Sequence, residues 1–72
     1  MKLSRQMREN LNLIPDDGEH RYFYVSQAEP LARRGLIEWE WRDVQITIRS
    51  PVARLTALGR AAKHRNEPDE NP

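Results

Sequence analysis

Cysteine is absent from the chain, so neither a disulfide framework nor a thiolate zinc site supplements its core. Apolar runs are short as well. None approaches the roughly 20 residues that span a bilayer, and the start, Met1-Lys2-Leu3-Ser4-Arg5-Gln6, lacks the apolar stretch of a signal peptide. A cytoplasmic protein without a membrane partner is the expectation. Glycine is scarce at 3 residues, and no glycine-rich phosphate loop or nucleophile motif occurs. Ser4, Ser26 and Thr56 read as helix caps, and 72 residues leave little room for a pocket with a supporting shell. The expectation is a non-enzymatic protein without a cofactor. A core this small contributes only about 3 to 5 kcal/mol, so a homodimer is a natural source of further burial.

The formal charge of +1 conceals an uneven distribution. The last seven residues, Asn66 to Pro72, hold Glu67, Asp69 and Glu70 and no base, which leaves 12 bases against 8 acids in residues 1–65, a net +4. Ten of the twelve bases are arginine, whose planar fork suits phosphate and carboxylate, although a GC-rich genome also enriches arginine. Residues 1–65 read as a single domain and residues 66–72 as an acidic tail of disordered composition.

Met7, Leu11 and Ile14 fall at helical spacing behind Ser4, a suitable N-cap, and Pro15 with Asp16-Asp17-Gly18 ends that helix. Tyr22-Phe23-Tyr24-Val25 reads as a short strand. Ser26-Gln27-Ala28-Glu29 has capping-box spacing, which predicts a helix from Gln27 to Arg34, with Pro30 in its first turn and Gly35 as its left-handed stop. Leu36 to Arg42 alternates strictly, with Ile37, Trp39 and Trp41 on one face and Glu38, Glu40 and Arg42 on the other. A turn at Asp43 then leads to a partner strand in which Val44, Ile46 and Ile48 alternate with Gln45, Thr47 and Arg49. Pro51 interrupts that ladder, so Val52 to Leu55 continues past a bulge or forms a separate edge segment. Thr56 caps a last helix running to about Arg65. The fold class is α+β, in the order helix, strand, helix, β-hairpin, helix.

Two segments carry a resemblance. Leu31-Ala32-Arg33-Arg34-Gly35-Leu36-Ile37-Glu38 resembles the end of the inner helix and the first wing strand of winged-helix proteins, and Leu55-Thr56-Ala57-Leu58-Gly59-Arg60-Ala61-Ala62 resembles the segment that closes the same wing. Together they cover about half the chain and are similar to MarR-like regulators and to short winged-helix proteins of bacteria and phages. The match is truncated, because a helix-turn-helix requires two helices before the wing and Asp16 to Arg34 offers a turn, a strand and one helix. The resemblance implies a small winged-helix-like domain acting as a DNA-binding or DNA-associated regulatory protein. Its duplex-DNA contacts would be Gln27, Arg33 and Arg34 on the inner helix and Arg42 and Arg49 on the wing. The alternative is a protein-binding module that keeps the shell without binding DNA, such as a phage inhibitor of a host protein, anchored by Trp39 or Trp41. Asp16, Asp17, Glu19 and His20 are the one cluster with metal-ligand chemistry, and the acid-and-glycine run reads as a loop rather than a metal site.

Overall fold

In the computed structural model, which describes residues 3–65, Ser4 Oγ accepts the amide of Met7 at 3.2 Å and opens α1 (Arg5–Asn12). Leu11 and Ile14 turn into the core, and the helix stops before Pro15 as its sequence requires. The acidic tail lies outside the described residues.

β1 is displaced from its expected place: it comprises His20–Arg21 rather than Tyr22 to Val25. Its register on the third strand, β3 (Ile48–Leu55), sets His20 opposite Ala53 and Arg21 opposite Val52. The next residue, Tyr22, donates its amide to the Pro51 carbonyl at 2.9 Å. Pro51 has no N–H to return that bond, so the ladder ends there and the chain turns away. The Tyr22 ring enters the core, where its hydroxyl donates to the Asn10 carbonyl in the last turn of α1. Burial pushes the Tyr22 phenol well above its ordinary range.

The second helix, α2 (Val25–Arg33), starts two residues earlier than its sequence pattern predicts. Ser26 does not cap it. Gln27 instead reaches back, and its Oε1 accepts the amides of Phe23 at 3.1 Å and Tyr24 at 3.0 Å. One side chain thus satisfies two amides that precede the helix. The earlier start moves Pro30 out of the first turn into the helix interior. The exit matches expectation. Gly35 has φ 75°, the Leu36 amide reaches the Leu31 carbonyl at 3.1 Å, and the Gly35 amide reaches Ala32 at 2.9 Å. This is a Schellman closure, with Leu31 and Leu36 both buried against each other's turn.

β2 (Ile37–Gln45) pairs with β3 from Ile37–Leu55 to Asp43–Arg49, then shifts register so that Gln45 meets Ile48. The hairpin turn is therefore Ile46-Thr47, not Asp43, because Asp43 is held in the ladder by Arg49 at 3.2 Å. Pro51 does not break β3 either. That strand is central, in the antiparallel order β1-β3-β2. A strand residue points its N–H and C=O to the same neighbour. The Pro51 carbonyl goes to Tyr22, so its missing donor faces the end of β1 and leaves the β2 ladder intact.

Thr56 caps α3 (Ala57–His64) through the Gly59 amide at 3.0 Å, while its hydroxyl donates to the Gly35 carbonyl at 2.6 Å. The Thr56 amide bonds the Leu36 carbonyl at 3.1 Å. These contacts knot together the two segments that resemble a winged helix. Leu3, Leu11, Ile14, Tyr22, Ala28, Leu31, Leu36, Ile37, Ala53 and Leu55 form one core between the helices and one face of the sheet. The domain is a small α+β fold, and no helix among the described residues is long and apolar enough to cross a membrane.

Candidate interaction surface

The residues expected to contact DNA do not form one surface. Gln27 stands near the start of α2 and Arg33-Arg34 at its end, about 10 Å apart at about 1.5 Å per residue, whereas Arg42 and Arg49 belong to the β2–β3 hairpin. Arg34 and Arg42 are separated by the run of β2, on the order of 20 Å at about 3.3 Å per residue. Gln27 has its carbonyl oxygen committed to the start of α2. Arg34 folds back to the Pro30 carbonyl at 3.0 Å. Arg33 is exposed, with no acidic partner among the described residues.

The wing arginines are paired. Arg42 grips Glu19 through two bonds of 2.5 and 3.0 Å and lies 3.7 Å from Glu40. Arg49 meets Asp43 at 3.2 Å, and Arg54 lies 4.0 Å from Glu38. The Arg42 bond holds the Glu19 carboxyl below its ordinary range, and Glu19 raises Arg42 in return. Glu38 and Glu40 thus both meet arginines, Arg54 and Arg42 respectively.

The acid-rich loop disperses its side chains. Asp16 Oδ1 accepts from Lys63 Nζ at 3.1 Å and Asp16 Oδ2 lies 2.5 Å from His64 Nε2, which together keep that carboxyl below its usual range. Lys63 also reaches the Ile14 carbonyl at 2.5 Å, so the end of α3 is latched to the loop after α1. His20 stacks edge-on against Tyr22 with ring centres 4.7 Å apart, and burial lowers its pKa. Among the described residues no group of three His, Cys, Asp or Glu side chains could hold a metal ion.

Several large apolar side chains also stand exposed. Along β2 the face shared with the core fades outward: Ile37 is buried, Trp39 is half-buried against the core, and Trp41 is 46% exposed. The two indoles meet edge to face at 5.3 Å and 81°. Tyr22, Pro51 and Trp41 lie on one line across the sheet, and Phe23 and Tyr24 follow Tyr22 where the chain leaves β1 for α2. Phe23 is 89% and Tyr24 70% exposed, and Ile46 at the turn is fully so. Sequence pattern hid Phe23, Tyr24 and Ile46, because each fell in a run that reads as a strand facing a core. Two tyrosines spaced by two residues raise the question of which one is inside, and Tyr22 is.

Comparison with protein-family models, with curated proteins and with solved structures finds no match to this chain.

Proposed function

We propose that this chain is a non-enzymatic protein-binding module with a truncated winged-helix-like architecture, and that it docks through exposed aromatic side chains. The observation that carries this reading is the exposure of Phe23, Tyr24 and Trp41, large aromatic side chains that the fold leaves outside its core. An aromatic side chain can bury about 150 to 250 Å², so covering even one of them contributes substantially to association. Aromatic residues are among the types that dominate interface energetics. The sheet order β1-β3-β2 and the Gly35 and Thr56 junctions support the winged-helix-like assignment. The single helix between β1 and β2 removes the element that precedes a groove reader. Where a recognition helix would present base-reading side chains at its N-terminus, α2 presents Phe23 and Tyr24.

A second reading, duplex-DNA association, is favoured by the exposed and unpaired Arg33 beside Arg34. One set of variants separates the two. Binding partners are captured from lysate with the wild type, with Phe23→Ala/Tyr24→Ala and with Arg33→Ala/Arg34→Ala, and each protein is titrated against a labelled duplex by anisotropy at about 50 and about 200 mM salt. A protein partner lost only with the aromatic pair supports docking. Salt-dependent duplex binding lost only with the arginine pair overturns docking in favour of DNA.

A further inference from the structure

Among the described residues no strand pairs with the outer edge of β2, and the parity of the ladder specifies which residues it presents. Because the Pro51 carbonyl points to β1, Ser50, Val52 and Arg54 direct their backbone groups to β2, where they meet Arg42, Glu40 and Glu38. The Thr56–Leu36 bond has the same parity. Trp39, Trp41 and Asp43 therefore direct their N–H and C=O groups out of the sheet. This stretch contains neither proline nor lysine, its charged residues Glu40, Arg42 and Asp43 are of both signs, and the register shift comes only after Asp43.

We infer that this edge pairs with the same edge of a second copy, in an antiparallel dimer whose two-fold axis passes through Trp41. A two-fold axis perpendicular to the sheet pairs residues of like parity. In this register Trp41 faces Trp41 of the second copy, Trp39 faces Asp43, and Glu40 faces Arg42 on both sides of the axis. Backbone pairing at positions 39, 41 and 43 supplies about six hydrogen bonds. The charges are self-complementary, and cross-strand pairs of this kind favour association. The half-exposed Trp41 ring acquires an aromatic neighbour across the axis. Each helical body lies toward Ile37, so the two bodies fall on opposite sides of the axis. The register centred on Glu40 is disfavoured because it opposes Glu40 to itself. The dimer shares Trp41 with the docking reading, whereas Phe23, Tyr24 and Ile46 take no part in the paired edge, so Phe23→Ala/Tyr24→Ala should leave the dimer intact.

Charge-swapped variants test the dimer and its register by sedimentation equilibrium on the full chain. The wild type is expected at twice the 8.5 kDa monomer mass at high concentration. Glu40→Arg and Arg42→Glu each create two like-charge pairs across the axis and should be monomeric. Their equimolar mixture restores both opposite pairs and should dimerise. Glu38→Arg faces the shifted segment and should leave the wild-type dimer unchanged. Should the single variants unfold, amide exchange on the wild type replaces them: Trp39, Trp41 and Asp43 amides should slow about tenfold or more on raising the concentration through the association range. A wild type that stays monomeric, a mixture that stays monomeric, or edge amides that exchange at a concentration-independent rate would overturn the proposal. Loss of the dimer in Glu38→Arg would overturn this register in favour of the one centred on Glu40.

Discussion

Gly59→Ala sets two effects of opposite sign against each other in one atom. On helix propensity alone, alanine in α3 should stabilise by about 1 kcal/mol. The packing predicts the reverse. A Cβ built at Gly59 lies 1.7 Å from the Leu36 carbonyl oxygen and 2.7 Å from the Leu36 carbonyl carbon, and both are backbone atoms that no rotamer change can move. Relief requires α3 to retreat by about 1.5 Å or more before ordinary contact distance is restored. That retreat breaks the Thr56 amide bond to Leu36 and the Thr56 hydroxyl bond to Gly35. Overpacking costs about 1 to 3 kcal/mol and a lost cap about 1 kcal/mol, so the net after the propensity gain is a loss of about 1 to 3 kcal/mol. A domain this size has only about 3 to 5 kcal/mol to lose, and Tm should fall by roughly 4 to 24 °C. Circular dichroism melts beside Ala61→Gly, an exposed α3 position expected to cost about 1 kcal/mol, supply the comparison. A Gly59→Ala protein as stable as the wild type, or more so, would refute the close approach of α3 to Leu36 and with it the junction between the Gly35 turn and the Thr56 cap.

Tyr22→Phe removes the hydroxyl that satisfies the Asn10 carbonyl in the core and should cost about 1 to 2 kcal/mol in urea melts without changing the fold. Acidification should act in two stages. Burial lowers the folded His20 pKa below its ordinary 6.5, so its neutral form favours folding fully above that value and stability declines as pH falls below it. Asp16 and Glu19, lowered from 3.8 and 4.5 by their cationic partners, contribute above those values and lose their contribution at lower pH. His20→Phe should abolish the first stage and keep the second, as read from Tm between pH 8 and pH 3; an unchanged first stage would remove His20 as its source. Acrylamide should quench two tryptophan populations in the monomer, and Trp41→Phe should delete the more accessible one, since Trp39 is packed on the core.

Local signals with a single structural solution were legible in the sequence. Ser4 and Thr56 precede helices whose third amide needs an acceptor, and both supply it. Gly35 stands where only a left-handed residue can follow α2. The alternation from Ile37 to Trp41 identified the strand, and its outward fade from buried to exposed was invisible because alternation reports a face and not how far the core extends beneath it. The errors came where two local solutions compete. Ser26 and Gln27 can both serve the start of α2, and the glutamine won because its longer side chain reaches the amides of Phe23 and Tyr24 together. Pro51 reads as a ladder breaker only until the direction of its missing N–H is known, and that direction is set by a long-range pairing with Tyr22. The hairpin turn moved to Ile46-Thr47 because the Asp43–Arg49 pair acts across strands, beyond the reach of any local pattern.

The same pairings decide how the charge of the chain can be used. On the sheet face turned away from the helices, Arg21, Arg42 and Arg54 stand among Glu19, Glu38 and Glu40, three bases to three acids, and five of the six take part in ion pairs. A phosphate approaching that face must displace a carboxylate to gain Arg42 or Arg54. Net neutralisation, and with it the counterion release that drives nucleic-acid binding, then comes close to zero there. The favourable net charge of residues 1–65 resides elsewhere, in part at Arg33 and Arg34, which are two adjacent residues at the end of a nine-residue helix. Two phosphate contacts give a salt slope near −1.8, too shallow for tight duplex binding. Phe23, Tyr24 and Ile46 have no ionic competitor of this kind among the described residues, and the release of water on covering them is the term that the proposed docking would draw on.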